Sequence, residues 1–216
     1  MRLILASAAC LALLGACSNG EKTARYLIDP PDSGQRVADR LGTAELKDVS
    51  LPDYAAGDEV SWQTADGAVR SNTKQLWADD PQRAFTLTLA RTISDISGAT
   101  VIAEPWPLSE PPRRTLEVRV EKALALADGS YRLSGRYFVG DSAAGGANQA
   151  RSFDIRIPLA DAGPAAIARA QSQAIAQLAG QIATLSGPGR SIRTSSAPMP
   201  RIDDIFSQPL PPLEGS

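Results

Sequence analysis

The chain has 216 residues and sets 22 Lys and Arg against 24 Asp and Glu, a net charge of −2, with no histidine anywhere. Without histidine, Ser-His-Asp and Cys-His catalysis and the commonest transition-metal ligand are excluded, and without a Lys/Arg run nucleic acid is an unsuitable partner. Both cysteines, Cys10 and Cys17, fall at the very start, so whatever folds after them is held by a packed core rather than by disulfides.

Met1 and Arg2 form a short positive start, and Leu3 to Leu13 is an apolar run of signal-peptide length. It is far shorter than the roughly 20 apolar residues a spanning helix needs. The run ends in Leu14-Gly15-Ala16-Cys17, which resembles a bacterial lipobox at each position. Small residues before the cut fit a narrow peptidase site, and the Cys17 thiol can accept a diacylglyceryl group. The expectation is a lipoprotein signal peptide over residues 1–16, cleavage before Cys17, and acylation there, palmitate included. A single acyl chain holds a membrane only marginally, at about 0.8 kcal/mol per buried methylene. The two or three chains that the lipoprotein resemblance implies make a durable tether. Ser18 stands where an Asp would often mark inner-membrane retention, so the same resemblance implies sorting to the periplasmic face of the outer membrane.

Residues 17–25 read as a short lipidated linker, and the eight from Ser18 to Arg25 span about 26 Å at full extension, which keeps the following domain near the bilayer. Tyr26-Leu27-Ile28 is the first strand candidate, stopped by Asp29-Pro30-Pro31. Ala44 to Leu51 reads as a second strand. Glu59–Gln63 and Val69-Arg70, with Ala65-Asp66-Gly67 between them, suggest a short hairpin. Pro81 to Ile96 is a helix: Phe85, Leu89, Ile93 and Ile96 make one apolar stripe, Asp80 an N-cap, and Gly98 a stop. Thr100 to Ala103 returns as a strand. Leu116, Val118 and Val120 alternate with charged residues, Asp128-Gly129 supplies a hairpin turn, and strands around Tyr131–Val139 and Phe153–Ile157 complete a meander. Gly135 marks a weak or closely packed point in it.

Pro164 to Leu185 is the second helix, with Ile167, Ala174, Leu178, Ile182 and Leu185 on the buried stripe and Gln171 interrupting it. Gly187-Pro188-Gly189 is the expected stop. From 187 to 216 prolines recur and apolar groups are sparse, so a disordered tail dispensable for folding is expected. The element order predicts an α+β two-layer sandwich, a largely antiparallel sheet with two helices on one face. Paired acids at Asp79-Asp80 and Asp203-Asp204 are explained by capping and solvation, and no catalytic residue, metal ligand or cofactor is expected.

The lipobox, Tyr26-Leu27, Leu51-Pro52-Asp53-Tyr54, Asn72 ahead of Trp77-Ala78, the helix from Pro81, Glu104-Pro105-Trp106-Pro107 and an Ala/Gln-rich last helix occur in this order. Together they resemble the ABC-type transport auxiliary lipoproteins, the PqiC-like family associated with MCE-domain (mammalian cell entry type) transporters. The resemblance covers roughly residues 14–186 and frames a domain over 26–186. It implies a fold similar to the amino-terminal domain of TolB, and an MCE-domain protein of an ABC-type transporter as partner. Leu76 before Trp77 and the stretch from Ala55 to Arg70 depart from the family pattern.

Two functions follow for comparison. One is a noncatalytic accessory of intermembrane lipid transport, a homo-oligomer docking a transporter, with Leu51, Pro52, Tyr54 and Trp77 as the candidate partner interface. The other is a stand-alone periplasmic lipid carrier, which needs a lined cavity on the order of 300–1,000 Å³. A chain with 5% aromatic residues has a core for the first and little for the second. The tryptophans Trp62, Trp77 and Trp106 lie near element ends, where half-buried packing at the rim of the core is the simpler role.

Overall fold

The computed structural model describes residues 22–32, 34–143 and 146–193. The leader, Cys17, Ser18 and residues 194–216 lie outside the described residues.

The meander is the frame. β7 (Arg114–Ala125), β8 (Ser130–Asp141) and β9 (Ala147–Pro158) pair antiparallel in sequence. Their alternation sets one buried face, Leu116, Val118, Val120, Leu133, Tyr137, Val139, Phe153 and Ile155, against a face of charged and polar groups. Two features shape the ladder. The register slips between Val120 and Lys122, a bulge that deepens local twist. Gly135 sits where a Cβ would lie 2.1 Å from the Arg119 carbonyl oxygen, so no larger residue fits between the strands.

Beyond β7 the sheet turns parallel. β2 (Thr43–Leu46) lies between β7 and β6 (Thr100–Ala103) and runs parallel to both. A hairpin of β3 (Trp62–Gln63) and β4 (Val69–Arg70) joins β7 through Trp62 opposite Ala125. A separate parallel pair is made by β1 (Ala24–Tyr26) and β5 (Gln75–Trp77). Strands of three residues show no alternation, which is why β5 was not legible and β1 was expected two residues later.

Three helices complete the fold. α1 (Asp53–Ala56) is a single turn after Pro52. α2 (Pro81–Ser97) starts as expected: the Arg83 amide donates to the Asp80 carboxylate at 2.7 Å, Pro81 takes the first position, and Gly98 ends it in the left-handed region. α3 (Pro164–Thr184) packs across β8 and β9 and against α2. The buried residues of both long helices share one core cluster with the covered sheet face, giving the expected α+β two-layer sandwich. Gln171 is buried within it, accepting from the Tyr131 hydroxyl at 3.0 Å. Burial raises the Tyr131 phenol far above its ordinary range and pushes Tyr137 up to about 12.

The tail boundary needs correction. Gly189–Arg193 forms β10, antiparallel to β9 at the edge of the large sheet, so residues 189–193 belong to the fold. α3 is ended by Leu185 in the left-handed region, and the chain then folds back against β9. At Gly189 a Cβ would lie 2.0 Å from the Ala150 carbonyl oxygen. A paired edge strand is held by backbone hydrogen bonds and needs no apolar side chains, so composition hid it.

Candidate functional site

The segment that leads into Leu51 is pinned before it reaches the surface. The Ser50 amide donates to the Val118 carbonyl at 3.1 Å, and the Val49 amide to Thr86 Oγ1 of α2 at 3.0 Å. Thr86 in turn donates to the Gln82 carbonyl at 2.8 Å. Leu51, Pro52 and Tyr54 follow on a ledge, each half-buried. Pro52 fixes the turn geometry that opens α1, for its ring holds φ near the helical value. Ser61 donates to the Tyr54 carbonyl at 2.9 Å, and the Tyr54 hydroxyl accepts from the Ala123 amide at 3.4 Å. The ledge is therefore built on β7 and positioned from both sides, with apolar edges left toward solvent.

Trp77 is different. It pairs with Tyr26 across β1 and β5 and retains only 6% exposure within the core cluster. Its assignment to a partner interface is corrected: a ring inside the core cannot meet a partner. Sequence pattern missed this because β5 is too short to announce itself.

Trp62 stands at the rim instead. Half-buried, it lines a solvent-open crevice of about 350 Å³ together with Ala125, Leu126, Leu159 and Ala162. Ser61 links the crevice to the ledge, so Leu51, Pro52, Tyr54 and Trp62 border one side of the β7 end. A half-buried tryptophan beside an apolar crevice is the sort of anchor protein interfaces favour. The sequence signal was the hairpin itself, which placed Trp62 at an element end.

Trp106 lies beside the carboxyl-terminal end of β2, just beyond β6. Its backbone amide donates to Glu45 at 3.0 Å and its indole N–H to the Glu110 carbonyl at 2.6 Å. Lys47 bridges Glu45 and Glu104 at 2.8 and 2.9 Å. The Asp48 amide and then Lys47 hold the Glu104 carboxyl below the usual carboxylate range, while Glu45 and Glu104 raise Lys47. These bonds tie the Glu104–Pro107 stretch to β2, a structural use.

No three His, Cys, Asp or Glu side chains converge as metal ligands would among the described residues. An open polar cleft of about 580 Å³ lies between Asp39, Arg40, Arg113, Arg114 and Asp141. No helix among the described residues is long and apolar enough to cross a membrane.

Comparison with known proteins adds the remaining finding. Residues 26–183 match a family model described as the ABC-type transport auxiliary lipoprotein component. The chain is 30% identical over 130 residues to the intermembrane transport lipoprotein PqiC of Escherichia coli (strain K12), covering 58% of this chain and 68% of that protein. The protein of the same name from Shigella flexneri matches equally. Among solved structures, an uncharacterized protein superposes with a TM-score of 0.58 at 23% identity, over 70% of this chain and 97% of its own, a likeness of fold.

Proposed function

The chain belongs to the ABC-type transport auxiliary lipoprotein family, and from that premise we propose that it is a noncatalytic accessory lipoprotein of an intermembrane transport system. The match over residues 26–183 carries this reading. In finer terms, Cys17 is the acylated residue, Ser18 directs the protein to the outer membrane, and the domain docks an MCE-domain component of an ABC-type transporter as a homo-oligomer. Similarity to proteins named intermembrane transport lipoprotein PqiC supports the transport role.

The ledge of Leu51, Pro52 and Tyr54 with the Trp62 crevice is the docking surface we assign. It is rigidly backed, partly apolar and open, whereas the helices and the covered sheet face consume the core. The crevice lies open to solvent and is not walled on all sides as an acyl-chain cavity would be, which favours docking over carriage of lipid. Repetition of one weak contact around a homo-oligomer would raise avidity without new chemistry.

Co-elution of the purified protein with the MCE-domain protein encoded by the same bacterium tests the reading. Tyr54→Ala and Trp62→Ala should each weaken the complex tenfold or more while keeping a cooperative melt. Native mass spectrometry should find several copies and no stoichiometric lipid. A stoichiometric bound lipid with no affinity for the MCE-domain protein would replace the docking reading with the carrier.

A further inference from the structure

The face of the meander turned away from the helices carries an ordered patch. Cross-strand partners share a face of a sheet, so the register places Glu117, Phe138, Ala150 and Arg190 in one row. Arg119 and Arg136 face each other in the next row, and Ile192 lies opposite Asn148. The Arg119 and Arg136 guanidinium carbons lie 5.2 and 5.7 Å from the Phe138 ring centre. Glu117 is taken by Arg119 at 2.6 Å. Among the described residues, Arg136 and Arg190 have no carboxylate partner, and Ile192 is 45% exposed. The patch is thus a half-buried aromatic ring walled by arginines, two of them electrostatically open.

We propose that residues 202–206 of the same chain, Ile202-Asp203-Asp204-Ile205-Phe206, dock on this patch. Three observations select this occupant. Its two adjacent carboxylates match the two open arginines, and its flanking Ile and Phe match Phe138 and Ile192. β10 runs toward the β8–β9 connection and ends at Arg193, opposite Ala147, so the chain continues from beside the patch. Phe138 lies two strands away, about 10 Å, and the eight residues 194–201 reach about 26 Å when extended. Arginine–carboxylate pairing fixes the register, with apolar contact on either side. The segment would cover this arginine-walled stretch of the open face and hold it from other acidic partners.

Chymotrypsin tests this on the intact chain, because Phe206 is the one aromatic residue after 193. Cleavage after Phe206 should be slow in the parent protein. Arg136→Glu/Arg190→Glu should speed it about tenfold, and Asp203→Lys/Asp204→Lys should do the same without touching the folded domain. Combining the four changes should restore protection, and the rates should not depend on protein concentration. Equal cleavage in parent and variants, or no restoration in the combined variant, would overturn the proposal. Protection that grows with concentration would overturn it too, by making a second copy the occupant.

Discussion

At the level of single residues, a few buried contacts make replacement costly. The Tyr131 hydroxyl and Gln171 satisfy each other inside the core, so Gln171→Ala should cost about 1–3 kcal/mol by orphaning a buried donor. The double change with Tyr131→Phe should cost less than the sum of the two single changes; additive denaturation free energies would show the pair to be uncoupled. Gly135→Ala forces a methyl against the Arg119 carbonyl and the Phe153 ring, and should lower stability by about 1–3 kcal/mol. An unchanged melting temperature would mean that the strands can part at no cost. Glu104 titrates below its unfolded value, so its contribution is complete above the ordinary carboxylate range and is lost as pH falls through the lowered one. Being partly exposed, it contributes no more than about 1 kcal/mol. The stability difference between the parent and Glu104→Gln should be largest near neutrality and shrink below about pH 4; a difference that persists in acid would assign the effect to packing. In the sequence Gly135 stands out as a tight point, whereas Gln171 shows only as a break in the stripe, because a hydrogen-bond partner forty residues away leaves no local trace.

Elements were legible in proportion to their length. α2, α3 and the three meander strands bury one face over many residues, so their periods show through, and the caps of α2 stand where Asp80, Pro81 and Gly98 predict. β1, β5, α1 and β10 are short and are fixed by partners elsewhere in the chain. β10 changes what truncation should do. Ending the chain after Arg193 should move the melting temperature by a degree or two, since the fold keeps its edge. Ending it after Ser186 strips five residues of pairing from β9 and bares a long edge, which invites association between copies. The shorter truncation product should melt several degrees lower and sediment as larger species; matching behaviour of the two products would make β10 dispensable.

On the scale of the whole molecule, the core among the described residues runs from Ile28 to Ala183, so anchoring at Cys17 and folding should separate. Cys17→Ser should leave the melt of the domain unchanged while abolishing acyl labelling; labelling that survives the change would place the lipid elsewhere. Of the candidate docking site, Leu51, Pro52 and Tyr54 were legible as an apolar motif, but whether an aromatic faces in or out is decided by packing, which put Trp77 inside and Trp62 at the rim. The parallel placement of β2 carries a consequence for time rather than for space. Its partners lie 57 and 70 residues further along the chain, whereas each meander strand meets a neighbour across a short connection. Loop closure over such spans is entropically slow. A chain emerging amino-terminus first therefore holds Thr43–Leu46 without any partner until Thr100–Ala103 has appeared, and without the meander until Leu116 has, so this side of the sheet is expected to assemble after the middle of the sequence. In pulse-labelled hydrogen exchange during refolding, amides of Leu133 and Ile155 should gain protection before that of Leu46. Every finished molecule has thus passed through a stage in which its early strand waited, open, for the rest of the sheet.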